Sequence, residues 1–187
     1  MERKHGPYTI KGSERLYKDH FVEFLLDDVV KPDGEPARYA TLRMLPGVSV
    51  LALDDEGFVY LVRVFRYAVG RESVEAVTGG VEQGESDEEA ARRELKEEVG
   101  ITAEELLDLG LVDAVTSQVF SPSRVYLARG LKFGETDRDA AERLQTVRVP
   151  LAEAVEMVMD GRITQATTAV LVMKAARFVT GPKGSGA

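Results

Sequence analysis

The chain has 187 residues, 44% hydrophobic and 30% charged, enough for one compact domain, or one with a small appendage, around a substantial core. It has no cysteine, only two histidines and a formal net charge of −8, which excludes disulfide scaffolds, thiolate zinc sites and thiol nucleophiles and disfavours a nucleic-acid surface. No apolar run approaches the roughly 20 residues of a bilayer span and no signal-peptide core follows the first six residues, so the expectation is a cytoplasmic protein without membrane contact.

Residues 13–44 alternate between polar and apolar in short runs around the turn signal Pro32-Asp33-Gly34, which predicts a β-meander. Val48–Leu53 and Phe58–Val64 flank Asp54-Asp55-Glu56-Gly57 and predict a hairpin. From Asp87 the period changes: Ala90, Ala91, Leu95 and Val99 recur at helical spacing, with Gly100 placed to end the helix. Strands resume near Leu109–Ala114 and Val125–Ala128, followed by an acidic loop from Gly134 to Glu142. Helices over Leu151–Met159 and roughly Thr167–Val179 close the fold. The reading is an N-terminal sheet over residues 1–45, a main domain over 46–180, and a mobile tail over 181–187 with nothing apolar to anchor it. The small sheet has too few residues to form a core alone.

The densest chemistry lies between Gly79 and Ile101. Glu94, Glu97 and Glu98 are three and four residues apart, so a helix sets their carboxylates side by side, where like charges repel. Taken alone, such a run reads first as a solvated acidic face; the alternative is a site for Mg²⁺ or Mn²⁺, whose preference for oxygen ligands turns repulsion into binding. The flanks favour the second reading. Gly79 and Gly80 permit a tight loop before the helix, Glu85 and Arg93 can pair to fix that loop, and Gly100 stops the helix beyond the acids.

The string Gly79, five residues, Glu85, seven residues, Arg93-Glu94-Leu95-Lys96-Glu97-Glu98-Val99-Gly100-Ile101 resembles the signature of the Nudix hydrolases at every specified position. The resemblance implies an α/β/α sandwich around a mixed sheet, carrying a small N-terminal antiparallel sheet. It implies an enzyme that hydrolyses the diphosphate bond of a nucleoside diphosphate linked to another moiety. By it, Glu94, Glu97 and Glu98 are the ligands of Mg²⁺ (or Mn²⁺), joined by the backbone carbonyl of Thr78. Glu85 and Arg93 support the catalytic site, with Glu85 close enough to tune the metal shell.

Outside this box the chain resembles the ADP-ribose pyrophosphatase branch, through Val64-Phe65-Arg66-Tyr67-Ala68-Val69-Gly70, Glu75, Tyr126–Leu131 and the segments after Val149. The branch implies a homodimer, a small-molecule nucleotide substrate, and cleavage of ADP-ribose or a related nucleotide sugar to a nucleoside monophosphate and a sugar phosphate. Arg66 would contact the diphosphate or terminal ribose, although on spacing alone it is equally a strand-end residue paired with a carboxylate. Glu75 would lie near the site. Arg43 and Phe120 are further candidates for substrate contact, with Tyr39 or Phe24 as alternatives. Glu142 aligns with the loop glutamate that acts as general base in this branch; Asp137 and Asp139 compete for the role, and Glu97 is the candidate within the box. The chain departs from the branch at Val77-Thr78, where Pro-Ala is usual, and at Thr116–Ser123, where a Ser-Pro-Gly loop followed by an acid is usual. Those departures keep nucleotide sugars other than ADP-ribose open. Two rival functions are a nucleoside triphosphate pyrophosphatase and a non-catalytic nucleotide-sensing module; the complete set of box acids disfavours the second.

Overall fold

The computed structural model describes residues 2–136 and 144–181. It divides into two compact units, each treated separately below: one takes the chain up to Pro46 together with Asp113–Pro122, the other Gly47–Val112 and the chain from Ser123.

The first unit is a five-stranded sheet. β1 (Arg3–His5), β2 (Tyr8–Lys18), β3 (Val22–Val30) and β4 (Pro36–Met44) form an antiparallel meander that begins earlier than the alternation from residue 13 predicts. The β3–β4 turn lies where Pro32-Asp33-Gly34 places it, with Lys31 N–H donating to Glu35 O at 2.9 Å and Gly34 at φ 86°. That left-handed φ strains any side chain, which is why glycine marks the turn. The last strand, β10 (Val119–Phe120), comes from far along the chain and runs parallel to β4, setting Val119 beside Leu42 and Phe120 beside Arg43.

The second unit is a seven-stranded mixed sheet with helices on both faces. β5 (Gly47–Leu53), β6 (Phe58–Arg66), β9 (Ile101–Asp113), β11 (Pro122–Phe133) and β12 (Gln145–Pro150) run in the order β12-β6-β5-β11-β9; β7 (Arg71–Glu75) adds to β6 and β8 (Val77–Gly80) to β5. The β5–β11 pairing is parallel, and β5 pairs antiparallel with β6 and β8. Strand alternation sorts the apolar residues into two cores. Leu51, Leu61 and Leu127 pack with α2 (Leu151–Met159) and α3 (Ala166–Thr180), whereas Val50, Val62 and Tyr126 pack with α1 (Asp87–Val99). The result is the α/β/α sandwich expected from the sequence. No helix among the described residues is long and apolar enough to cross a membrane.

Candidate active site

Both ends of α1 are fixed by local chemistry. Ser86 Oγ accepts from Glu89 N–H at 3.2 Å while the Glu89 carboxylate accepts from Ser86 N–H at 2.8 Å, a reciprocal cap. Asp87, Glu88 and Glu89 oppose the positive end of the helix dipole in its first turn. At the other end Gly100 takes φ 66° and its N–H donates to Lys96 O at 2.9 Å. Ala90, Ala91, Leu95 and Val99 are buried against the sheet, as their spacing predicts. Burial of that stripe fixes the rotation of the helix, and the rotation fixes where Glu94, Glu97 and Glu98 project.

Arg93 is the hub of the box. Its Nε donates to Glu85 Oε1 at 2.9 Å and its Nη2 to Glu85 Oε2 at 3.0 Å, a bidentate pair. Nη2 also donates to Gly80 O at 3.0 Å, tying the helix to β8. Nη1 reaches Glu94 Oε1 at 2.6 Å and Glu97 Oε2 at 3.2 Å. The Glu85 hydrogen bond, followed by that of Glu94, holds the guanidinium well above its ordinary pKa. Arg93 in turn holds the Glu85 carboxyl below the usual carboxylate range, with the Glu82 N–H adding to the effect.

The two glycines before the helix do something the sequence reading did not anticipate. Gly79 and Gly80 are not in a loop: they form the end of β8, paired with Val48 and Gly47 of β5, and the turn falls later, with Glu85 N–H donating to Glu82 O at 3.1 Å. A Cβ on Gly79 would sit 1.9 Å from Cδ and Oε1 of Glu94. Glycine is needed there for space, because its absent side chain lets the Glu94 carboxylate lie directly on the strand backbone. Glu94 is held in that cradle with only 14% of its side chain exposed.

The residues suit a hard divalent cation. The side-chain donors Glu94, Glu97 and Glu98 are carboxylates, Arg93 pairs with Glu94 and Glu97 as well as Glu85, Glu98 Oε2 is buried without a hydrogen-bond partner among the described residues, and the Gly79 cradle brings the Glu94 carboxylate against the β8 backbone that carries Thr78. Among the described residues no three acidic or imidazole side chains converge as a ready-made cage, since Arg93 draws Glu94 and Glu97 toward itself.

Arg66, at the end of β6, meets two other predicted residues. Its Nε and Nη2 donate to both oxygens of Glu75 at 2.7–3.2 Å, and Nη2 donates to Thr78 Oγ1 at 3.2 Å. The Glu75 side chain is 4% exposed, and Arg66 occupies both of its oxygens. The strand-end pairing and the substrate-facing reading of Arg66 are therefore compatible. Arg66, Glu75 and Thr78 border a pocket of about 400 Å³ together with Arg71, Ser73 and Thr164, and sequence reasoning missed these last three. The one legible sign was the two-residue spacing of Arg71, Ser73 and Glu75, which puts them on one face of a strand.

Arg43 and Phe120 come together in the first unit, opposite each other in the β4–β10 register. They line a pocket of about 660 Å³ with Tyr8, Tyr39 and the buried Asp27. The Tyr8 and Tyr39 rings meet edge to face with centroids 5.4 Å apart. Phe24, opposite Leu42, does not border that pocket. Glu142, Asp137 and Asp139 lie outside the described residues.

The NUDIX domain model matches residues 43–169, a span that holds the glycine-cradled Glu94 and the Arg93–Glu85 clasp. The chain belongs to the Nudix family and is a pyrophosphohydrolase of that family. Among its relatives are an ADP-ribose pyrophosphatase of Bacillus subtilis, 31% identical over 86% of this chain and 88% of the relative, and one of Mycobacterium tuberculosis, 32% identical over 91% of this chain and 84% of the relative. A crystal structure of an ADP compounds hydrolase superposes with a TM-score of 0.82 over 96% of this chain and 97% of that one, at 24% identity, a likeness of fold.

Proposed function

We propose that this enzyme hydrolyses ADP-ribose, or a related nucleoside diphosphate sugar, to a nucleoside monophosphate and a sugar phosphate. The observation that carries the chemistry is the Glu94 carboxylate seated on Gly79 beside the Arg93 clasp. The substrate class rests on the two pyrophosphatase relatives, each aligned over more than four fifths of both chains. Glu94, Glu97, Glu98 and the Thr78 carbonyl would hold Mg²⁺, or Mn²⁺ in its place. Such an ion, when bound, shields the phosphate charge, polarises water and stabilises the leaving phosphate.

The protein's own residues do the remaining work. Arg66, anchored by Glu75, would offer its guanidinium to the diphosphate. Arg93 and Glu85 hold α1 against β8 and so keep the three box glutamates in place. Glu142 would take a proton from the attacking water as its oxygen bonds to phosphorus and the P–O bond to the bridging oxygen breaks. In the first unit, the pocket of Tyr8, Tyr39, Arg43 and Phe120 offers aromatic surface and a cation to a nucleobase. We read that unit as the dimerisation element of a cytoplasmic homodimer, because a sheet this small gains stability from a partner.

The test is a panel of nucleotide sugars, dinucleotides and nucleoside triphosphates with Mg²⁺ or Mn²⁺, with products identified by mass. Splitting of ADP-ribose or a nucleotide sugar into two monophosphates, abolished by chelator, is expected. Turnover in excess chelator would overturn the mechanism, and cleavage of triphosphates alone would overturn the substrate class.

A further inference from the structure

Helix α3 carries more apolar surface than the fold uses. Its inward stripe of Thr167, Thr168, Leu171, Val172 and Ala175 is buried, and one such stripe is all that a helix on the surface of a domain requires. Val170, Met173 and Phe178 lie outside that stripe and are exposed. With Leu109 of β9 and Val158 of α2 they border a shallow groove of about 670 Å³. A helix apolar on both its inner and its outer side belongs with a partner on each.

The ionisable residues that border the groove are Lys174 and Arg177, both cationic. Lys174 Nζ is held at the groove by donating to Leu109 O at 2.6 Å. Neither cation is in an ion pair among the described residues. The chain as a whole carries a net charge of −8, whereas the 15 residues of α3 contain no acid, so this face reverses the sign of the molecule. Charge separates the occupants it could take. A second copy docked through the same face would bring Lys174 and Arg177 against their own counterparts, as a two-fold contact requires, and like charges so placed repel. An anionic membrane would attract the two cations and repel the surplus of acids on the rest of the chain. A helix that carries acids beside its own apolar stripe satisfies both features of the groove. We propose that this face docks an acidic amphipathic helix of another protein. From Ala169 to Phe178 the groove follows α3 for about 14 Å, which matches about two and a half turns of such a helix.

The probes are two fluorescein-labelled synthetic peptides of about 16 residues, long enough to form a helix. Both place Leu at i, i+3, i+4 and i+7; one flanks that stripe with Glu and the other with Lys. Fluorescence anisotropy against the full chain should show saturable binding of the Glu peptide, about tenfold or more tighter than that of the Lys peptide. Met173→Glu should weaken the Glu peptide by about tenfold or more, and Arg177→Glu should invert the preference so that the Lys peptide binds more tightly. Both side chains are exposed, and thermal melts establish that the variants are folded. No saturable binding of the Glu peptide, equal affinity for the two peptides, or an unchanged Kd in both folded variants overturns the inference. Conversion of a parent dimer to a monomer by Met173→Glu, read by light scattering, would overturn it in favour of a second copy. Tighter binding to phosphatidylglycerol vesicles than to the Glu peptide would overturn it in favour of a lipid surface.

Discussion

Replacing Gly79 with alanine should separate folding from chemistry. The new methyl carbon would lie 1.9 Å from the Glu94 carboxylate, so that carboxylate must move out by about 1.6 Å to reach ordinary van der Waals distance. The atoms that must yield are the far end of a flexible side chain, and Gly79 has no left-handed φ, so the backbone accommodates alanine without strain. Stability should therefore change by less than about 1 kcal/mol, a shift in Tm of no more than about 4 °C. The site should suffer far more. A displacement above 1 Å in a metal-holding carboxylate is expected to lower kcat/KM about 100-fold and to weaken Mn²⁺ binding by a similar factor. The assays are ADP-ribose hydrolysis, Mn²⁺ titration by electron paramagnetic resonance, and thermal denaturation on the same preparations. A variant that keeps parental Mn²⁺ affinity and turnover would refute the cradle argument, and one that unfolds would show Gly79 to be structural.

Three other measurements bear on separate parts of the molecule. Glu142→Gln should lower kcat far more than it raises KM, because a base acts in the transition state; Asp137→Asn and Asp139→Asn are its comparators, and parental turnover in all three would pass the role to Glu97. Light scattering at micromolar concentration should return twice the chain mass of 20.5 kDa, and a monomer would contradict the assembly proposed for the first unit. Asp54 accepts from the N–H groups of Glu56 and Phe58, from the Tyr60 hydroxyl, and from Arg148 at 2.7 Å. Burial raises its pKa, but those donors, Arg148 foremost, outweigh burial and leave it below the ordinary value. A depressed carboxyl stabilises the fold above the unfolded pKa of about 3.9 and loses that contribution as pH falls through the folded value. Asp54→Asn should thus cost about 1–3 kcal/mol at pH 7, read as a lower Tm, and the gap to the parent should shrink below about pH 4. A gap that is the same at pH 7 and pH 3 would contradict the reasoning.

The box was legible because its physics is local. A helix ended by Gly100, a stripe of Ala90, Ala91, Leu95 and Val99, and acids at helical spacing are all encoded within a short stretch of chain, and the structure sets them on one helix, with the Ser86 cap at its start unread. The reason for Gly79 was not legible, since a glycine beside a helix suggests a turn until the neighbouring carboxylate is seen in space. The contact of Thr168 Oγ1 with Ala76 N–H at 3.0 Å, which seats α3 on the sheet, joins residues too distant in sequence for any pattern to link. The same holds for Phe120 beside Arg43: each was a candidate for substrate contact, but their adjacency arises only when β10 pairs with β4.

The pairing of β10 with β4 also sets a timetable. During synthesis the first four strands leave the ribosome together, but the strand that completes their sheet follows only after β5 through β9 have been made. Until then the Leu42–Arg43 end of β4 is also an open edge, able to pair with another nascent chain. Charged residues temper that edge: β4 carries Arg38 and Arg43, and Pro36 opens it. The N-terminal segment is thus early in sequence and late in completion, and a protein truncated before Val119 would expose the Leu42–Arg43 end of the edge that β10 covers in the finished one.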